Sequence, residues 1–280
     1  MDVLWLGEVG CADALVTGGK AAALSRLAEA ASVPPGFTLS AALQRRRVDR
    51  DHLDQLVGEA YLELGRKVGA ASPAVAVRSS GIDEDGTGSS FAGQHETFLN
   101  IRGEKAVTDA VLACWESAGA ERVASYRAAR GLDPDASMAV LVQQLVVADE
   151  AGVAFTADPV TFDPGVIVVN ASFGLGESIV SGTVTPDTYR VLRRSLEIVE
   201  RRIAPKALMT VAGTHGVVEV VVPSLLQQEP ALTPVQVIAV AELALRLESY
   251  LGAPADIEYA FRDGRLHLLQ CRPITTMARG

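Results

Sequence analysis

Two strand-like runs near the C-terminus, Asp256 to Phe261 and Leu266 to Cys271, are separated by Asp263-Gly264 and read as one β-hairpin. Asp-Gly between apolar alternations is a strong short-range hairpin signal. Three polar residues, Glu258, Gln270 and Arg272, interrupt these otherwise apolar strands. With a two-residue turn at Asp263-Gly264, Glu258 and Gln270 fall on opposite faces, because strand side chains alternate with period two. With a three-residue loop and Gly264 left-handed, the pairing shifts by one. Glu258, Gln270 and Arg272 then share one face, while Ile257, Tyr259, Phe261 and Leu269 share the other. This second register segregates polar from apolar groups and is the one expected. A carboxylate and an amide oxygen on a common face suit Mg²⁺, which keeps waters and draws further ligands from phosphates. Arg272 then stands beside a transferred group. The competing reading is an amphipathic edge hairpin with a surface salt bridge.

Upstream of the hairpin the chain mixes helical and strand periodicities. Apolar positions from Lys20 to Ala31 recur at helical spacing, and Pro34-Pro35-Gly36 stops that element. A second helix is expected over Asp51 to Val68, others over Lys105 to Trp115 and Ala120 to Arg130. Strands are expected at Ala74 to Val77, Met138 to Val146, Val166 to Val169, Tyr189 to Leu192 and Val217 to Val222. Thr233 reads as the N-cap of a late helix, with Pro234 in its first turn and Gly252 at its exit. The class is therefore α+β. The expected lobes are residues 1–148 and 149–280.

The 280 residues carry a net charge of −9, which argues against general attraction to nucleic acid or an anionic membrane. A phosphate ligand needs a local cluster of cations set against that field. Three widely spaced cysteines form no metal pattern and fit a reducing compartment, so a cytoplasmic location is expected. No apolar run reaches the length of a membrane span.

Several segments have the chemistry of phosphate contact. Gly18-Gly19-Lys20 leads into a helix, where backbone N–H groups approach an anion and an ammonium adds charge. It is no P-loop, since Ala21 stands where a Ser or Thr holds magnesium. Gly174-Leu175-Gly176 likewise lacks the third glycine of a dinucleotide fingerprint. Arg78 ends a buried-looking strand, where a guanidinium forks onto phosphate oxygens, or alternatively pairs with Glu84 or Asp85. The stretch Phe91 to Thr97 offers amides and the Thr97 hydroxyl for wrapping phosphates. His95 within it is read as a polar neighbour rather than a phosphate carrier. Gln143-Gln144 places amides at a strand end, able to read an adenine edge or to lie on an exposed edge.

The strings GGKAAALSRL, VPPGF, AVRSS, SFAGQHETFLN, VQQLV, FTADPVT, GLGESIVSG, VTPDTY and LLQCRPIT, in that order, resemble one family. It is the N-terminal ATP-binding domain shared by phosphoenolpyruvate synthase, pyruvate phosphate dikinase and rifampin phosphotransferase. The resemblance spans about residues 7 to 276 and implies an ATP-grasp fold with the nucleotide between two lobes. It carries Lys20, Arg78, Gly93, Thr97, Gln144, Glu258, Gln270 and Arg272 over as contacts to ATP and magnesium. Lys20, Arg78 and Arg272 offset phosphate charge, Glu258 and Gln270 hold Mg²⁺, and the loop from Gly93 to Thr97 closes over the phosphates. The chain departs from the family's longer members: no histidine lies in a phosphohistidine-like motif, the segment from Phe37 to Ala74 is shorter, and His95 stands where Gln is frequent.

These features lead to the expectation of an ATP-binding phosphotransferase component. It passes a phosphoryl group to a histidine on a separate carrier protein, releasing AMP and phosphate, with a further acceptor-binding protein as partner. Two alternatives remain: a direct small-molecule kinase or ligase releasing ADP, and a nucleotide-sensing module without turnover.

Overall fold

The computed structural model describes residues 1–82, 97–118 and 137–274. The chain forms two compact units, the first from Met1–Ala28 and Pro34–Leu145, the second from Glu29–Val33 and Val146 onward. Both mix helices with antiparallel sheet, as the α+β expectation requires.

The first unit contains β1 (Val3–Trp5), α1 (Ala14–Leu27), β2 (Gly36–Leu39), α2 (Ala41–Arg45), α3 (Arg50–Val68), β3 (Val75–Gly81), β4 (Thr97–Ile101), α4 (Glu104–Ala118) and β5 (Met138–Gln144). Its sheet runs β1-β2-β5-β3-β4. Local chemistry explains α3: Asp49 caps the His52 amide, Arg66 and Lys67 complement the C-terminal dipole, and Gly69 exits in the left-handed conformation. Strand alternation sends Phe37, Leu39, Val75, Val77, Val140 and Val142 into a core closed by α3 and α4. The opposite sheet face, with Ala76, Arg78, Ser80, Leu141 and Gln143, is the one on which α1 packs. The helix expected over Ala120 to Arg130 lies outside the described residues.

The second unit adds β6 (Glu150–Phe155), β7 (Val166–Phe173), α5 (Glu177–Val180), β8 (Asp187–Leu192), β9 (Ile198–Arg202), β10 (Leu208–Ala212), β11 (Val217–Val221), α6 (Pro234–Leu251), β12 (Ala255–Arg262) and β13 (Arg265–Pro273). Six strands form one antiparallel sheet, β13-β12-β6-β7-β8-β9, and β10 pairs with β11 as a separate ribbon. The expected caps of α6 are present: Thr233 and Gln236 complete a capping box, and Gly252 closes the helix left-handed. This helix lies on the face built from Ile257, Tyr259, Ala154, Val169, Tyr189 and Val191, all buried. Across the sheet Ile257 pairs with Ala154, Ala154 with Val169 and Val169 with Tyr189. The opposite face is half-buried and polar, carrying Asn170, Thr188, Arg190 and Glu258.

Two features of this unit have no local sequence signal. Glu29–Val33 forms a strap along β13: the Leu268 amide donates to the Ser32 carbonyl at 2.9 Å, and Arg246 donates to the Ala30 carbonyl at 3.1 Å. Lys206 and Asp187 form an ion pair at 2.6 Å with both side chains fully buried.

Candidate functional site

In the first unit, three of the candidate residues gather on one sheet face. Arg78 and Thr97 are direct cross-strand partners in β3 and β4, so their side chains leave the sheet on the same side. Lys20 comes from α1 on that side, and its ammonium donates to the Ser79 carbonyl at 3.1 Å. An ammonium, a guanidinium and a hydroxyl thus lie on one side of β3, which does not end at Arg78 as expected but runs on to Gly81. Arg78 and Lys20 are half-buried and Thr97 is exposed.

Gly18, two residues before Lys20, has a packing role. Gly18 and Gly19 are buried. Gly18 has φ 75 and ψ 166, a region open essentially to glycine alone. A Cβ there would lie 2.1 Å from the Ser80 carbonyl oxygen. The Ala21 amide then donates to the Ser80 hydroxyl at 3.2 Å. Gly18 is therefore the point where α1 presses against β3, and that contact brings Lys20 to Ser79. Gly18→Ala is expected to destabilise the first unit by about 2–4 kcal/mol, from backbone strain together with overpacking. Urea denaturation measures it, and a variant within about 0.5 kcal/mol of wild type, the range of ordinary surface changes, would refute this account.

The glutamine pair divides between faces. Gln143 is paired with Ala76 on the α1 face, is buried, and donates to the Pro34 carbonyl at 3.0 Å. Gln144 is paired with Val75 and points to the opposite side of the sheet from Arg78. The structure does not bring Gln144 together with Lys20, Arg78 and Thr97.

In the second unit the hairpin reaches the expected pairing by an unexpected route. The turn is a two-residue one, with Arg262 opposite Arg265, and not the three-residue loop expected. Asp263 and Gly264 have φ 50 and 73, as a type I′ turn demands at both central positions. Continued without interruption, that register would set Glu258 opposite Leu269. A β-bulge intervenes: Tyr259 pairs with Leu268 and Glu258 with Gln270, leaving Leu269 as the extra residue. The bulge corrects the expected faces in one respect. Leu268, not Leu269, joins Ile257, Tyr259 and Phe261 in the core, while Leu269 is only half-buried.

Glu258 and Gln270 therefore stand directly opposite each other, with Asp256 and Arg272 opposite each other on the neighbouring rung. All four leave the ribbon on the polar face. Asp256 thus joins the three polar residues that the sequence pattern marks, Glu258, Gln270 and Arg272. Arg272 donates from Nε to one carboxylate oxygen of Asp256 at 2.7 Å, and its Nη2 forms an ion pair with the same oxygen at 2.7 Å. Burial pushes the Asp256 carboxyl above the ordinary carboxylate range, and the adjacent Arg272 guanidinium opposes that rise. Alternation from Glu258, two residues on and of the same type, was the signal that marks Asp256.

The described residues include no group of three or more His, Cys, Asp or Glu able to hold a metal ion. Gly93 and His95 lie outside the described residues. Among the described residues no helix is long and apolar enough to cross a membrane.

Residues 49–280 match the family model described as pyruvate phosphate dikinase, AMP/ATP-binding domain. A probable phosphoenolpyruvate synthase from Methanocaldococcus jannaschii is 34% identical, covering 99% of this chain and 27% of that protein. A probable phosphoenolpyruvate synthase from Methanothermobacter thermautotrophicus is 35% identical, over 98% of this chain and 46% of its own length. A rifampicin phosphotransferase from Streptomyces sviceus is 41% identical, over 86% of this chain and 27% of that protein. The chain thus spans about a quarter to a half of the length of these relatives. With the motifs in order along the sequence and the model matched over most of its length, the chain belongs to the pyruvate phosphate dikinase AMP/ATP-binding domain family.

Proposed function

We propose that this chain is the ATP-binding component of a dikinase-type phosphotransferase. It binds Mg-ATP in an ATP-grasp fold and passes a phosphoryl group to a histidine on a separate carrier protein. AMP and phosphate are the released products. The observation that carries this reading is the rung pair of the closing hairpin, where Glu258 and Gln270 face each other beside Arg272. One carboxylate and one amide oxygen are too few to cage a metal ion alone, but they fit Mg²⁺, which completes its shell with water and substrate phosphates. When bound, the ion adds positive charge at the phosphates.

The chain's own residues supply the rest. Lys20 and Arg78 neutralise phosphate oxygens, Thr97 donates a hydrogen bond, and Arg272 is the cation aimed at the transferred group. Gln144 belongs to the adenine end, consistent with its separation from the cationic cluster. Phosphoryl transfer asks for positioning and charge stabilisation more than covalent chemistry, so these roles suffice without a nucleophile in the chain.

The test is a single-turnover assay with labelled ATP, Mg²⁺ and candidate carrier proteins. Label on a carrier histidine, with AMP and phosphate released, is the expected result. ADP as the product would replace this reading by a direct kinase or ligase. Binding without any turnover would reduce the chain to a nucleotide-sensing module.

A further inference from the structure

Arg272 is held before any ligand arrives. Asp256, its cross-strand partner, takes the Nε–Nη2 edge of the guanidinium on a single oxygen, with both contacts at 2.7 Å. The two members are not equivalent. The Asp256 side chain is 11% exposed and that of Arg272 41%, so a sunken carboxylate grips an arginine that reaches outward. A salt bridge that served only stability would not call for this. Exposed pairs contribute little, and a buried ion pair is often replaceable as a whole by apolar residues without loss. Burial here works against the carboxylate's charge, yet the residue faces the same side of the sheet as Glu258 and Gln270. An arginine side chain is flexible along its stem, and its planar fork acts on an anion only when correctly presented. A carboxylate that fixes one edge of that fork presents the rest of it toward the adjacent Glu258–Gln270 rung.

We propose that Asp256 is a positioning residue for the phosphoryl transfer put forward above: it fixes the guanidinium of Arg272 beside the Glu258–Gln270 pair. The inference rests on that functional reading and adds a residue to it. Asp256 acts through Arg272 and touches no phosphate itself.

The experiment compares wild type with Asp256→Asn and Asp256→Glu in the full chain, using Mg-ATP turnover with the carrier, melting temperature, and the Arg272 Nε–H resonance in ¹⁵N-labelled protein. Asp256→Asn is expected to lower kcat by about 10- to 100-fold, the range for a group that orients a site residue. KM for ATP is expected to change less than about threefold, because Arg272 acts mainly in the transition state. Its Nε–H signal should lose the shift and slow exchange of a charge-paired group. Asp256→Glu, which restores the charge one methylene further out, should recover several-fold of the lost rate. In an Arg272→Lys background, which lacks the fork, the Asp256→Asn change should cost less than about threefold, since coupled residues are not additive. If Asp256→Asn melts lower but keeps the wild-type kcat per folded molecule, the pair is structural and this inference fails while the proposed function stands. If wild type itself turns over no Mg-ATP with any carrier, the proposed function fails and takes this inference with it.

Discussion

Replacing Arg272 by alanine is expected to lower Mg-ATP turnover by about a thousandfold or more, the range found for arginines that stabilise transferring phosphoryl groups. The charge on such a group is spread over its oxygens in the transition state, and a preset cation there lowers the barrier directly. The variant should also be less stable at neutral pH, because it leaves the buried Asp256 carboxylate without its counter-ion. The sign of the pH dependence follows. Burial already raises the Asp256 pKa in the folded protein, and Arg272 opposes that rise. Without Arg272 the folded value climbs further. A carboxyl with a raised folded pKa favours the fold while protonated and loses that advantage as pH rises through the folded value. The stability gap between variant and wild type should therefore narrow as pH falls from neutrality toward the ordinary carboxylate range. Melting temperatures at pH 7.5 and 4.5 measure this. Turnover measured on the folded fraction decides the catalytic role, and an unchanged rate would remove Arg272 from the mechanism.

The largest effect on stability is expected from the buried pair in the second unit. Asp187→Ala should cost about 3–5 kcal/mol, the range for stranding one member of a buried ion pair. Lys206 would keep its charge in a fully buried place, losing its 2.6 Å contact and keeping only the Ala204 carbonyl at 2.9 Å and the Phe173 ring at 5.6 Å. The amides of Ala204 and Ala231, which donate to Asp187 at 2.9 and 2.7 Å, would lose their acceptor as well. Lys206→Met is expected to be comparably harmful, for the converse reason. A double replacement by apolar residues should recover part of the loss, since two buried charges are removed together. Denaturant unfolding gives the numbers. An Asp187→Ala variant within about 1 kcal/mol of wild type, the usual cost of a single neutral hydrogen bond, would show that the pair does not hold this region.

The hairpin separates what is local from what is not. Asp263-Gly264 specifies its own two-residue turn, because Asp and Gly accept positive φ where other pairs resist it. The expectation of a longer loop came from asking the turn alone to align Glu258 with Gln270. The alignment comes instead from the bulge at Leu269, with Leu268 in the core beside Tyr259 and Ile257. Likewise, the string VQQLV contains two glutamines, but which of them faces the core and which the α1 side depends on the register of β5 against β3.

The amino-acid sequence by itself determined the family, the α+β class, the caps of α6 and the limits of α3, because each depends on groups a few positions apart or on ordered motifs. The tertiary structure decided that Gly18 is reserved for the approach of α1 to Ser80, that Asp256 holds Arg272, that Lys206 and Asp187 are buried together, and that Glu29–Val33 lies along β13. Those features join residues far apart in the chain, and whether a charge is exposed or sunk depends on what packs around it. Propensity and spacing carry no record of that.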